Sequence, residues 1–313
     1  MKRTLLSWFV RRCVKPVLSP SFSARAQRRW GRFIGLFLLG ARGTARSRHK
    51  IAGVPAILFS PTAQRPARTV LYLHGGGYVM GGEGSHGKLM AHFAKAAQAQ
   101  VWLPDYRLAP EHPFPAALRD ALAVYAALLE QGHAPSQIAL AGDSAGGGLA
   151  VATAVAIRDS GLPLPASLVL LSPWVDLSLA GASLQTHAER DCLVHPQWLQ
   201  ACATAYRGAR PANDPGCSPL FADLRGLPPM LIQVGSEEVL LSDAERLAAA
   251  AIAAGVQAQL QQFDGLWHVF QLHAGVLRES DAAIAQIGHF IRQTTGPTSA
   301  WIAPDAMKIA APV

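Results

Sequence analysis

The sequence predicts an α/β fold, a mostly parallel sheet with helices on both faces. Two observations carry this. From residue 69 onward, short β-type runs alternate with helical stretches, and the runs are apolar almost throughout. A strand buried on both faces has no polar side to present, so it reads as a continuous apolar segment. Taken in turn, such strands and helices build layers on either side of one sheet. Composition agrees. Half of the 313 residues are hydrophobic and 15% are charged, as in a folded chain with a large core. Length alone leaves one or two domains open.

In chain order, Ser21 or Ser23 stands as the N-cap of a helix expected to run to about residue 39. Arg25, Arg28, Arg29 and Arg32 share one face, while Trp30, Phe33, Ile34, Phe37 and Leu38 repeat the same spacing on another. This helix is basic and amphipathic. Its apolar face is expected to cover this same protein in preference to a membrane surface. Strands are expected at 69–73, 101–106, 138–142, 168–172 and 230–235, and a last one in "QAQLQQF". Helices are expected near 86–98, 114–131, 145–159, 242–254 and 275–293. Residues 178–216 break the alternation and read as an insertion with a helix near 196–207. The tail at 298–313 has no periodicity and reads as disordered or as a remnant of cloning.

Charge is unevenly spread. Residues 1–82 hold 15 Lys/Arg and no acid, while the remainder holds 13 Lys/Arg against 20 acids. A basic front end suggests nucleic acid first, but no nucleic-acid motif accompanies it and none is expected to bind. Cys13, Cys192, Cys202 and Cys217 are far apart and suggest neither a disulfide framework nor a metal site. The N-terminus starts like a secretory signal, yet its apolar run from Leu5 to Val10 is cut short by Arg11 and Arg12. The stretch at 33–41 has 9 residues, too few to span a bilayer. A cytoplasmic protein is the expectation, and a homo-oligomer is left open.

The chemistry lies in two glycine-rich stretches. "IALAGDSAGGGLAVATAVAI" places a strand before Gly142-Asp143-Ser144-Ala145-Gly146 and a helix after it. This is G-x-S-x-G in the strand–turn–helix context that lifts a serine hydroxyl above the sheet edge. A serine needs a base to take its proton. His268, just past the last expected strand, is the candidate. The imidazole needs a carboxylate to hold its tautomer, and Glu237, Glu238 and Asp243 follow strand 230–235. Asp243 suits a helix N-terminus better. Glu237 and Glu238 point opposite ways in an extended chain, so one of them serves. The other stretch, "LYLHGGGYVMGGEGSHGK", contains a G-x4-G-K spacing at Gly82–Lys88 that resembles a phosphate loop. Leu89 stands where a magnesium-binding hydroxyl is needed, and Glu83 sits inside the cradle. The glycines have a better use. Gly75, Gly76 and Gly77, with Ala145 after the nucleophile, offer bare N–H groups for a tetrahedral oxyanion. Removing one such donor typically costs about 3–4 kcal/mol in the transition state. His74 reads as a loop brace rather than a catalyst.

With "HGGGY", "DYRLAPEHPFPAAL", "GDSAGGG", "SPWVDLS" and the His268 segment together, the chain resembles the bacterial hormone-sensitive-lipase family of α/β hydrolases over about residues 50–295. The resemblance implies an eight-stranded sheet, no metal or organic cofactor, and a small-molecule ester substrate with a short to medium acyl chain. It implies a catalytic domain at 46–177 and 217–297, under a helical cap made of residues 1–45 and 178–216. Aligned on the following helix, it points to Glu238 as the acid, where the family usually has Asp. It also meets Gly148 where the family commonly has Asn. An amidase would use the same triad. A surface-active lipase would use the basic helix at a lipid interface. A ligand receptor on this fold would lack His268.

Overall fold

The computed structural model describes residues 2–63 and 66–296; the tail at 298–313 lies outside them. The sheet has eight strands: β1 Thr44–Ile51, β2 Val54–Pro61, β3 Arg68–Leu73, β4 Ala99–Pro104, β5 Ile138–Asp143, β6 Ser167–Leu171, β7 Met230–Gly235 and β8 Ala258–Phe263. Their order is β1-β2-β4-β3-β5-β6-β7-β8. The β1–β2 and β2–β4 pairs are antiparallel and the rest parallel. Strand β1, "TARSRHKI", escapes a search for apolar runs because it is a polar edge, exposed over most of its length. Three basic side chains along it discourage pairing with another edge.

Within a strand, alternate residues serve opposite cores. Leu71, Leu73, Leu140, Leu168, Leu170 and Ile232 face one side, with Val70, Tyr72, Ala139, Ala141, Val169 and Leu231 on the other. This is why the central strands are apolar at every position. Nine α-helices are found among the described residues. They are α1 Lys2–Phe9, α2 Ala24–Gly35, α3 Glu83–Ala97, α4 Ala116–Glu130, α5 Ala145–Asp159, α6 Ser183–Thr186, α7 Pro196–Arg207, α8 Leu241–Ala253 and α9 Arg278–Thr294. Helices α3 and α9 cover one face with Phe93, Ile287 and Phe290. Helices α4, α5 and α8 cover the other with Val124, Leu149 and Leu247.

The N-terminal segment lies against the insertion and above the C-terminal ends of the strands. Arg11 donates to the carbonyls of Glu189 and Arg190, Lys15 to those of Ala188 and Asp191, and Trp198 Nε1 to Gln27 Oε1 at 3.0 Å. Ser23 caps α2, its Oγ accepting from Ala26 N–H. The helix ends at Gly35 rather than near 39, and the chain closes in tighter turns, with Leu36, Phe37 and Leu38 N–H each bonded three residues back. A Cβ at Gly35 would stand 1.8 Å from the Gly84 carbonyl, so only glycine lets α2 sit this close to α3. The apolar face splits in two. Trp30, Ile34 and Leu38 line a cavity, whereas Phe33, Leu36, Phe37 and Leu39 are exposed. The expectation that this face covers the protein therefore describes only its inner half. No helix among the described residues is long and apolar enough to cross a membrane.

Candidate active site

Ser144 sits in the turn between β5 and α5 with φ +53° and ψ −124°, a strained conformation for a residue with a Cβ. Close packing enforces the turn. A Cβ at Gly142 would lie 2.2 Å from the Gly146 carbonyl, and one at Gly146 would lie 2.0 Å from that of Leu73. These are the glycines of the sequence motif, and the structure shows the backbone each one meets.

His268 follows β8. Its Nδ1 is 3.1 Å from Glu238 Oε1, and both side chains are buried. An ionised carboxylate only accepts, so Nδ1 carries the proton and Nε2 is the basic nitrogen. The other Glu238 oxygen accepts from Ser172 Oγ at 2.8 Å and Gly235 N–H at 2.9 Å. Burial opposes the charged imidazolium, but the Glu238 hydrogen bond and charge, with Asp191 and Asp143 farther off, outweigh it and raise the His268 pKa. Ser144 and His268 line one cavity of about 140 Å³ with Trp30, Ile34, Leu38 and Leu193.

The rival acids are placed elsewhere. Glu237 forms a salt bridge with Arg190 at the surface. Asp243 lies in the first turn of α8, where Oδ2 accepts from Val175 and Asp176 N–H. Burial, which the two N–H bonds only partly counter and the Asp176 charge reinforces, pushes its carboxyl up to about 7.

The glycine loop follows β3. Gly75 must be removed from the expected oxyanion donors, because its N–H already donates to Asp143 Oδ1 at 2.9 Å. The same carboxylate accepts from Tyr72 Oη and faces His86 Nε2 at 3.2 Å. Burial would raise the Asp143 pKa, but His86, Tyr72 and Gly75 together outweigh it and hold the group below its usual range. The Gly76 and Gly77 N–H groups meet no protein acceptor among the described residues. Gly76 lines the cavity with φ +113°. Ala145 N–H belongs to the first turn of α5, where helix amides lack intrahelical partners. His74 stacks on Tyr106, and its Nδ1 lies 2.8 Å from the Gly75 carbonyl. Burial lowers its pKa to about 4, so it is neutral at ordinary pH and Nδ1–H donates. Holding the Gly75 carbonyl fixes the plane of the peptide whose N–H is Gly76. Gly82–Lys88 does not form a phosphate cradle: it opens α3, and Glu83 within it pairs with Arg46.

Two residues escaped the sequence reading. Ser172, at φ +45°, donates to Glu238 and accepts from Val269 N–H at 3.1 Å, tying the acid to the residue after His268. Asp191 is fully buried: Oδ1 accepts from Leu193 and Val194 N–H, and Oδ2 from Val239 N–H. It thus joins the cavity wall to the acid loop. Ser172 stood inside a quoted motif, but only register reveals its partner. Asp191 carried no signal. Among the described residues no His, Cys, Asp or Glu cluster forms a metal-ligand set.

A buried serine, imidazole and carboxylate at the C-terminal edge of a parallel sheet define an α/β-hydrolase arrangement. The family model for the alpha/beta hydrolase fold matches residues 70–272. An esterase of the bacterial hormone-sensitive-lipase family superposes with a TM-score of 0.90 at 42% identity, covering 94% of this chain and 98% of that one. An acetyl-hydrolase of Streptomyces hygroscopicus is 47% identical over 75% of this chain and 78% of its own length. An esterase of Mycobacterium tuberculosis is 36% identical over 90% and 99% respectively. The chain belongs to the bacterial hormone-sensitive-lipase family of the α/β-hydrolase superfamily and is a carboxylic ester hydrolase.

Proposed function

We propose that the chain is a serine carboxylesterase for short- to medium-chain acyl esters, with Ser144 as nucleophile, His268 as general base and acid, and Glu238 as the orienting acid. Ser144 Oγ attacks the ester carbonyl carbon while His268 Nε2 takes the hydroxyl proton. The carbonyl electron pair moves to oxygen, and the N–H groups of Gly76, Gly77 and Ala145 receive that charge. Collapse breaks the bond to the alcohol oxygen, to which His268 returns the proton. Water then repeats the sequence on the acyl-serine, releasing the acid. Glu238 stabilises the imidazolium in both halves. The observation that carries this reading is the buried Glu238–His268 contact opening on the cavity that holds Ser144.

Acyl length follows from volume. A dry apolar cavity near 150 Å³ holds about one six-carbon ring, so a space of about 140 Å³ suits an acyl chain of similar size. The relative named an acetyl-hydrolase points to the same short end. Residues 1–45 and 178–216 act as the cap, with Trp30, Ile34 and Leu193 closing the acyl space. A rate series over p-nitrophenyl esters from about two to sixteen carbons tests this. Hydrolysis should peak near four to six carbons. A peak on the longest chains would overturn the length assignment, and hydrolysis of none would overturn the triad.

A further inference from the structure

The geometry points to the N-terminal segment as a docking surface for an anionic lipid bilayer, which would bring the mouth of the Ser144 cavity against the lipid. Among the described residues ten large apolar side chains are exposed, and seven belong to residues 5–39. Leu36 is 74% exposed, Leu5 68%, Phe37 64% and Trp8 56%. A soluble surface scatters such residues singly, and clustering marks a contact. On α2 and the turn after it, Arg25, Arg29, Phe33 and Phe37 succeed each other at intervals of four and form one exposed ridge. Phe33 and Phe37 pack edge to face at 5.3 Å, a paired aromatic wedge in contact with Trp30. The neighbouring ridge, Trp30, Ile34 and Leu38, lines the cavity, as do Val10 and Val14 beyond α1. Exposed apolar side chains and the cavity wall are thus adjacent ridges of the same segment.

Charge selects the partner. Residues 1–82 contain no acid. The acids that reach this segment from elsewhere are occupied or few. Glu111 pairs with Arg28, Glu83 with Arg46, Asp105 is exposed but lies beside Arg32 and Arg28, and Glu189 and Asp191 face Lys15. Lys2, Arg12, Arg25, Arg29 and Arg42 are exposed and form no salt bridge among the described residues. A second copy docking through this face by two-fold symmetry would set basic ridge against basic ridge. A bilayer bearing anionic headgroups offers both what the aromatics and what the arginines require. The face is too shallow to span and is suited to lying in the interface. An ester dissolved in the bilayer would then meet the cavity without crossing water.

Flotation tests this without hydrolysis, so its failure is separable from a failure of the esterase reading. The full chain is mixed with phosphatidylcholine vesicles, and with vesicles containing about one-third phosphatidylglycerol. Binding to the anionic vesicles should exceed the neutral ones by about tenfold or more and fall as salt rises. Phe33→Ser with Leu36→Ser and Phe37→Ser should lower it about tenfold while a soluble short ester is hydrolysed within about twofold of the parent rate. Arg25→Gln with Arg29→Gln should remove much of the anionic preference, and it keeps the test valid should the triple variant misfold. An unbound parent chain would overturn the proposal. So would variants that bind like the parent, or a dimer in sedimentation that the triple variant splits while vesicles stay bare.

Discussion

Glu238 and Phe37 belong to two regions built on opposite terms. Glu238 is fully buried, and both its oxygens are engaged, by His268, Ser172 and Gly235. Phe37 is mostly exposed, with its ring edge to face against Phe33. The same contrast runs through their surroundings. The sheet edge holds Ser144 by backbone packing that no other residue would permit, whereas α1 buries no side chain and α2 buries only Gln27 and Gly35. Chemistry that depends on fractions of an ångström sits where the carboxylate that positions the imidazole is itself held from two sides. The N-terminal segment is tied to the insertion by hydrogen bonds to backbone carbonyls, such as those from Arg11 and Lys15.

Substitutions in the buried region should therefore be costly and specific. Glu238→Gln should lower kcat by about a thousandfold or more, because the amide no longer enforces the tautomer or stabilises the imidazolium. Glu237→Gln, which only breaks the surface pair with Arg190, should stay within about twofold. The pH profile sharpens the contrast. As the proposed general base, His268 must be neutral to act, so kcat/KM should climb as pH rises through its pKa. Glu238 contributes to raising that pKa. In Glu238→Gln the acid limb should move to lower pH even as the maximum falls. An unmoved limb would separate His268 from the titrating group.

Gly76→Ala comes next. A Cβ there would lie 2.3 Å from the Met80 carbonyl, at a φ of +113° that side chains rarely adopt. The loop must shift, and kcat should fall by about a hundredfold with the fold retained. Circular dichroism and steady-state kinetics on one soluble ester check both halves.

Much of the buried region was legible because packing leaves marks in composition. Central strands buried on both faces read as apolar runs, and Gly142 and Gly146 announce the turn that carries Ser144. Besides Ser172 and Asp191, three things were not legible. Strand β1 is a polar edge without an apolar run. The Gly75 amide looks like its neighbours in sequence, and only the position of the Asp143 carboxylate removes it from the donors. The apolar stripe of α2 has one helical period, and period alone cannot say which half meets protein and which meets solvent. The Gly148 departure has a steric account: a Cβ there would stand 2.0 Å from the Trp174 carbonyl.

Asp191 links the two regions and should give the smallest effect. Asn at this place keeps one acceptor oxygen, so an amide of Leu193, Val194 or Val239 loses its partner. Stability should fall by about 1–3 kcal/mol. The acid limb should move slightly to lower pH, because the Asp191 charge helps to raise the His268 pKa. Thermal melts and a pH–rate profile of Asp191→Asn read these separately. A variant with the parent's limb and stability would show that the carboxylate matters to neither region.

The central claim, that the strained serine at the end of β5 is the nucleophile, is tested most directly by a serine-directed phosphonate with intact-mass and peptide mapping. One adduct should form, on Ser144, and Ser144→Ala should form none while melting as the parent does. An adduct on another serine, or one that persists in Ser144→Ala, would contradict the account.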